Sequence, residues 1–103
     1  MGRWAVPWPL IINEGGVMKR EDVYKLIDGE REYQKKRHEK HIVPHRDEDH
    51  SIADWVIYME EHIARAKLEI YNLTFERAMA EVRKVTALGV ACMEHNETKP
   101  RSL

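Results

Sequence analysis

Residues 52–71, IADWVIYMEEHIARAKLEIY, carry the clearest structural signal in the chain. Apolar side chains recur there at helical spacing, at Ile52, Trp55, Val56, Met59, Ile63, Ala66 and Ile70. A stripe with this period predicts an amphipathic α-helix and does not fit the alternation of a strand. Ser51 precedes the stripe and Asp54 follows Ser51 by three residues, which predicts an N-cap with a variant of the capping box.

Two more helices are predicted around this one. The first runs from about Arg20 to His38, and Val23, Tyr24, Ile27 and Gln34 fall near one of its faces. The third follows the short link Asn72-Leu73, takes Thr74 as its N-cap and runs to about Glu94. Its apolar face is formed by Ala78, Val82, Val85, Gly89 and Cys92. A short link between two long helices predicts antiparallel packing, with the first helix across them.

The chain of 103 residues is long enough for one domain, which we place at residues 18–96. Residues 97–103 form a polar tail, and residues 1–17 form an extension that does not fit a signal peptide, because prolines interrupt its apolar stretch. Two interpretations of the extension stay open. Its Trp4, Trp8 and Leu10 pack on the bundle or on a partner, or synthesis naturally starts at Met18.

Charge and cysteine content exclude several classes of function. The net charge is −1, with 17 basic and 18 acidic residues, so nucleic acid is not an expected partner despite a basic patch at residues 35–38. No apolar run approaches the roughly 20 residues that span a bilayer. Cys92 is the only cysteine, which excludes an intrachain disulfide and fits the reducing cytoplasm, where we place the protein. On its apolar face, Cys92 is expected to be a buried structural thiol.

Histidines cluster in the polar connection between the first two helices, where Pro44 argues against helix. This group contains His38, His41, His45 and His50, with Asp47 and Asp49 close by. Such donors can bind Zn²⁺ or Ni²⁺. Their spacing matches no metal motif, so a solvated loop is the preferred interpretation.

Carboxylates on the second and third helices form the other candidate site. If the two helices pack side by side, Glu61 and Glu81 converge in the groove between them. Carboxylates from facing helices are how helical bundles hold Mg²⁺ or paired metals. The alternative is that these side chains belong to ordinary solvated faces.

The order of several short motifs resembles the MazG-like nucleotide pyrophosphatases of phages and bacteria. Residues 30–34, EREYQ, resemble the E-R-x-x-Q stretch that ends the first helix in that family. His50-Ser51, followed by Trp55 and then Glu60-Glu61, resembles the H-S-x-x-x-W segment that leads into its acidic helix. Glu81 and the apolar helix ending in Ala91-Cys-Met-Glu resemble the last helix. The resemblance covers residues 19–95.

The resemblance implies Mg²⁺-dependent cleavage of a nucleoside triphosphate between its α and β phosphates. An E-E-x-x-E run and a later E-x-x-D run would hold the metal, which implies metal binding by Glu60, Glu61 and Glu81 and catalysis by Glu61 and Glu81. The chain departs from this pattern. His62, Arg65 and Lys84 stand where carboxylates are expected, and a register that starts at Glu60 places Ala64 at the third position.

These departures lead to alternative predictions for function. Arg65 and Lys84 lie at favourable ion-pair spacings from Glu61 and Glu81, so cations can replace Mg²⁺ and give a pseudoenzyme. In a variant of this hypothesis Arg65, Lys84 and Trp55 bind a nucleotide without hydrolysing it. Trp55 is otherwise a core residue, and the charge pairs are otherwise ordinary surface pairs.

The fold expected is therefore an all-α, MazG-like helical bundle completed by homo-oligomerisation, as a dimer or tetramer. The function expected is that of a divergent nucleoside triphosphate pyrophosphohydrolase with weak or lost Mg²⁺-dependent hydrolysis and a nucleotide as its ligand. The alternative is a non-enzymatic helical interaction protein that oligomerises.

Overall fold

The computed structural model describes residues 16–39 and 47–102. It contains three long helices, α1 (Arg20–Glu39), α2 (Ile52–Tyr71) and α3 (Phe75–His95), and a short 3-10 helix, Asp47–Asp49. No strand occurs in these two ranges. The all-α prediction is confirmed, and the predicted bounds of α2 agree with the structure. The extension lies outside the described residues apart from Gly16 and Val17.

The predicted capping box at the start of α2 is present. Ser51 Oγ accepts a hydrogen bond from the backbone N–H of Asp54, and Asp54 Oδ2 accepts one from the backbone N–H of Ser51, 2.9 Å away. The bond from Ser51 N–H favours the charged carboxylate and lowers the pKa of Asp54. Two backbone donors that have no partner inside the helix are thereby satisfied, which fixes where α2 begins.

The link between α2 and α3 differs from the prediction. Thr74 occupies the N-cap position, but its side chain does not cap α3. Its hydroxyl donates to the carboxylate Oε1 of Glu69, 2.6 Å away, and lies 2.9 Å from the carbonyl of Glu69, which accepts a bond from the Thr74 N–H. Together with the bond from Leu73 N–H to the carbonyl of Ile70, this is a Schellman motif, with Leu73 at the left-handed position (φ 60°). The side chain and N–H of Thr74 therefore serve the end of α2, and only its carbonyl, which accepts from Ala78 N–H, takes part in the start of α3.

The third helix is the centre of the molecule, because it packs against both α2 and α1. The core between α2 and α3 consists of Trp55, Leu88 and Ala91, with Met59 and Cys92 packed against it. Cys92 is half-buried in this cluster. Ala87 and Ala91 are fully buried, and such small side chains let neighbouring helices approach closely.

The predicted apolar faces are only partly buried. On α2, Trp55 and Ala66 are buried, whereas Ile52, Val56 and Ile63 are exposed. On α3, Val82 is exposed, and the buried positions include Ala87, Leu88 and Ala91, which lie off the predicted face. The reason is that α3 has two helical neighbours on different sides, so its buried surface does not follow a single stripe.

Candidate functional site

A polar cluster of His62, Glu81 and Lys84 links α2 to α3. His62 Nδ1 lies 2.7 Å from Glu81 Oε1, and Lys84 Nζ lies 3.2 Å from Glu81 Oε2. The Glu81 side chain is only 12% exposed, so its charge is largely removed from water. Both carboxylate oxygens are engaged by nitrogen groups.

The contacts of Glu81 set its protonation. Burial raises the pKa of its carboxyl, but the hydrogen bonds from His62 and Lys84 and the charge of Lys84 outweigh burial, so the pKa lies below its ordinary value. Glu81 is therefore an ionised hydrogen-bond acceptor at neutral pH. A carboxylate in this state does not supply the proton of a general acid.

The structure brings His62, and not the predicted Glu61, against Glu81. Successive residues on an α-helix are rotated by about 100°, so neighbours in sequence point in different directions. His62 lies on the face of α2 that packs on α3, whereas Glu61 is on the exposed side and pairs with Arg65 of its own helix at 2.8 Å. The assigned catalytic roles of Glu61 and Glu81 stay predictions.

The residues present do not fit a Mg²⁺ site in this arrangement. Mg²⁺ requires oxygen ligands in near-octahedral geometry. The carboxylate of Glu81 is already held by two nitrogen groups, and Glu60 and Glu61 are exposed. Among the side chains of residues 16–37 and 47–102, no group of three or more from His, Cys, Asp and Glu stands close enough to hold a metal.

The predicted nucleotide-binding residues are dispersed. Arg65 pairs with Glu61 on the surface, and Lys84 pairs with Glu81 in the cluster. Trp55 is only 1% exposed, and its ring stacks parallel to His95 at 6.5 Å. A nucleotide base would have to displace a neighbour of Trp55 to reach its ring. The burial of Trp55 agrees with the alternative prediction that it is a core residue.

His50 also packs against this aromatic group. Its ring meets Trp55 edge-on at 4.8 Å and Tyr58 at 5.3 Å. Asp47, one of the two carboxylates predicted to lie near the histidines, is buried and bonded to Arg31. His41 and His45 and the side chain of His38 lie outside the described residues, so the metal hypothesis for that group stays a prediction.

A second charged cluster, centred on Arg31, is not among the sites predicted from the sequence. Arg31 is buried and donates to Asp47 Oδ2 at 2.7 Å and to Glu94 Oε1 at 2.9 Å. Burial lowers the pKa of Arg31, but its hydrogen bonds to Asp47 and Glu94 outweigh burial and raise it. Beside it, buried Glu30 accepts a bond from Arg83 Nε at 2.7 Å. The cluster ties α1, the 3-10 helix and α3 together.

A signal for this cluster is present in the sequence. Val23 and Ile27 begin an apolar face on α1, and the next position of that face, four residues on, is Arg31. A charged residue at a core-facing position of a helix indicates a buried ion pair, because an unpaired buried charge is costly. Its partners on α3 could be identified only from the tertiary structure.

The α2–α3 hairpin carries an apolar surface that neither the core nor α1 covers. We call this surface the open face. Its exposed members are Ile52, Val56 and Ile63 on α2 and Val82 and Met93 on α3. A Cβ atom built on Gly89 would lie 3.8 Å from Met59 Sδ, so these two residues mark the line where the helices meet. By helical position, these five residues lie beside that line, on the side away from α1.

Comparison of the chain with models of known families, with curated proteins and with solved structures found no match. None of the helices in the described residues is long and apolar enough to cross a membrane.

Proposed function

We propose that this chain is a non-catalytic, MazG-like helical protein that functions by association with a second copy of itself. The observation that carries the first half is the engagement of Glu81 by His62 and Lys84. In the MazG-like pattern these two positions would hold carboxylates, and the three together would need a cation. Here the side chains of His62 and Lys84 stabilise the charge of Glu81 without a metal cation.

The substitutions have a simple electrostatic reason. Two carboxylates about 4 Å apart repel each other by about 4 kcal/mol at an effective dielectric constant near 20. A cluster of such groups therefore requires Mg²⁺ or protonation. Replacing two of its members by histidine and lysine converts repulsion into attraction, so the same groove stabilises the hairpin. The position of His62 against Glu81 supports the register in which residue 62 is the second member of the acidic run.

The first test is Mg²⁺-dependent release of pyrophosphate from a panel of canonical and modified nucleoside triphosphates. We expect no release by the wild type and none by the Glu81→Gln variant. Release that requires Mg²⁺ and is lost in Glu81→Gln would overturn the proposal. A melting shift with nucleotide in the absence of metal, lost in Arg65→Gln and Lys84→Gln, would instead assign the nucleotide-binding role to those cations.

A gain-of-function variant tests the MazG-like assignment itself. The triple substitution His62→Glu, Arg65→Glu and Lys84→Asp restores both acidic runs around Glu61 and Glu81. We expect the triple variant to be destabilised without metal and to regain thermal stability with Mg²⁺, while the melting temperature of the wild type does not change with Mg²⁺.

The matched control for this variant reverses three charges on α1, Lys25, Lys35 and Lys36, to Glu. All three lysines are exposed, so the control changes the net charge by a similar amount without building a carboxylate cluster. An equal response of both triple variants to Mg²⁺ would show only charge screening and would remove this support.

The open face carries the second half of the proposal. Exposed apolar patches on a monomer mark interaction sites, and the five members of the open face span both helices of the hairpin. A twofold contact between two such faces buries the apolar surface of both copies at once. The homo-oligomer implied by the MazG resemblance supports a second copy as the occupant.

Association is tested by measuring the mass of the protein in solution by light scattering at increasing concentration. We expect an assembly larger than a monomer, and we expect Val82→Glu to split it, because the substitution places a charge on the open face. Retention of the helical circular dichroism signal shows that the variant still folds. An unchanged assembly in Val82→Glu would overturn the open face as the contact.

A further inference from the structure

We infer that α2 carries a second self-association surface, on the side opposite α3, that docks antiparallel on α2 of another copy. This inference rests on the proposed association role and extends it to different residues. We call the surface the outer stripe. It consists of Ile57, Ala64, Leu68 and Tyr71, and all four are exposed.

The spacing of the outer stripe places its members on one side of the helix. The steps are seven, four and three residues, which keep side chains on one face of an α-helix. The stripe lies about half a turn around α2 from the buried Trp55 and Ala66. A helix that is apolar on two opposite sides is typical of a helix with packing partners on both. The described part of the chain supplies a partner, α3, on one side only.

The charges beside the outer stripe select the partner and its direction. Glu61 and Arg65 flank the stripe on one side, and Glu60 and Lys67 flank it on the other. On each side the acidic residue comes first. When a second α2 docks antiparallel, with the twofold axis near Ala64, Glu61 of each copy faces Arg65 of the other copy on one flank. On the other flank, Glu60 of each copy faces Lys67 of the other copy.

A parallel arrangement is disfavoured by the same charges, because it sets acidic residues against acidic and basic against basic. Charged flanks beside an apolar seam are what sets the orientation of paired helices. In the antiparallel register Ile57 packs between Leu68 and Tyr71 of the other copy, and the small Ala64 lets the two helices approach at the centre. The surface is thus complementary to itself, and a second copy of this chain is the occupant.

The end of α2 provides an independent observation. Leu73 adopts φ 60° and is 68% exposed, so it holds a left-handed conformation while most of its surface is open to solvent. Glycine is the usual residue at this position of a helix end. Backbone strain of this kind concentrates at functional sites. The exposed Leu73 follows Tyr71, the last member of the outer stripe, by two residues, so the apolar sequence of the stripe continues past the end of α2.

The first experiment separates the two surfaces by mass in solution. With both the outer stripe and the open face in use as perpendicular twofold contacts, the wild type is expected to be a closed tetramer. Leu68→Glu is expected to reduce it to a dimer, and Leu68→Glu combined with Val82→Glu is expected to give a monomer. Leu26→Glu, a matched change of an exposed leucine on α1, is expected to leave the tetramer intact.

The outcomes distinguish the two surfaces. An unchanged mass in Leu68→Glu, with splitting in Val82→Glu, overturns the outer stripe and leaves the proposed association through the open face standing. Splitting in Leu68→Glu alone supports the outer stripe and overturns the open face. A monomeric wild type overturns both. Circular dichroism of each variant confirms that the comparison is between folded proteins.

The second experiment tests direction by disulfide cross-linking in a Cys92→Ser background. Ala64→Cys lies at the centre of the antiparallel register and is expected to form a cross-linked dimer on oxidation. Ile57→Cys is expected to form none with itself, because the two copies of position 57 are far apart, and to cross-link when mixed with Tyr71→Cys. Self-cross-linking of Ile57→Cys would overturn the antiparallel arrangement.

Discussion

The two interfaces of α3 are built from different interactions. Towards α2, the contact is dominated by apolar side chains around Trp55, with the cluster of His62 and Glu81 at one position. Towards α1, the buried apolar contribution of α1 is Ile27, and Glu30 and Arg31 add ion pairs to α3. Apolar burial is non-directional, whereas ion pairs need a defined geometry. We therefore expect the hairpin to be the stable unit and α1 to be the element that opens first.

The largest expected effect is at Trp55. Trp55→Ala removes the largest fully buried side chain, and truncations of this kind cost about 3–5 kcal/mol. We expect chemical denaturation to show global unfolding of the hairpin and α1 together. Trp55→Phe is the control, because it keeps an aromatic ring and removes Nε1, which has no hydrogen-bond partner among the described residues. A similar loss in both variants would contradict the packing role.

The next effect tests the charged interface. Arg31→Met leaves Asp47 and Glu94 without their main partner, and breaking a buried ion pair costs about 3–5 kcal/mol. Hydrogen exchange should show faster exchange throughout α1 while the centre of the hairpin stays protected. The double variant Arg31→Met and Asp47→Leu should recover part of the loss, because the buried carboxylate is then removed as well. Equal acceleration of exchange in all three helices would contradict the division into a stable hairpin and a separable α1.

Glu81 provides a pH-dependent test of the polar link between α2 and α3. Its folded pKa lies below the ordinary value of 4.5, so its stabilisation is complete above that value and is lost as pH falls through the lower folded pKa. We expect Glu81→Gln to be less stable by about 1–3 kcal/mol at neutral pH, because a charged partner is removed from a buried contact. The difference from wild type should shrink as the pH falls below 4.5. A difference that is constant with pH would contradict the assignment.

The hairpin turn should respond in the opposite direction. A left-handed conformation costs a residue with a Cβ atom roughly 1–2 kcal/mol, and Leu73→Gly removes that cost at the turn. In a protein kept monomeric by Leu68→Glu and Val82→Glu, we expect Leu73→Gly to raise the melting temperature.

Gly29→Ala is the companion change on α1, since a Cβ atom there would meet nothing within 4 Å. This substitution should raise the free energy of unfolding by up to about 1 kcal/mol, because alanine has a higher helix propensity than glycine. Stabilisation by Gly29→Ala but not by Leu73→Gly would show that the turn is not strained.

The smallest effect is expected at Glu61. Both members of its pair with Arg65 are more than half exposed, and such helical pairs are worth about 0.3–0.5 kcal/mol. Glu61→Gln should therefore leave the free energy of unfolding almost unchanged in the monomeric background. A loss above about 1 kcal/mol would show that Glu61 has a buried partner and would bring it back as a site residue.

Local sequence signals were enough to predict the three helices and the short link between α2 and α3, but not the role of Thr74 in that link. Periodic apolar residues, the Ser51 and Asp54 pair and the short link at residues 72–73 predicted α2, the start of α2 and the α2–α3 hairpin, because these signals act within one or two turns of chain. The all-α class followed from the same local patterns.

The pairing of charges, in contrast, depends on tertiary packing. Glu81 pairs with His62 and not with Glu61, the neighbour of His62 in the sequence. The reason is that packing around Trp55 sets which side of α2 faces α3. The partly buried pairs of Glu30 and Arg31 with α3 join residues 53 and 63 positions apart, and no local pattern encodes such partners. The division of each apolar helix into a buried side and an exposed side likewise depends on where its neighbours lie, since a stripe shows that a face is apolar and does not show what covers it.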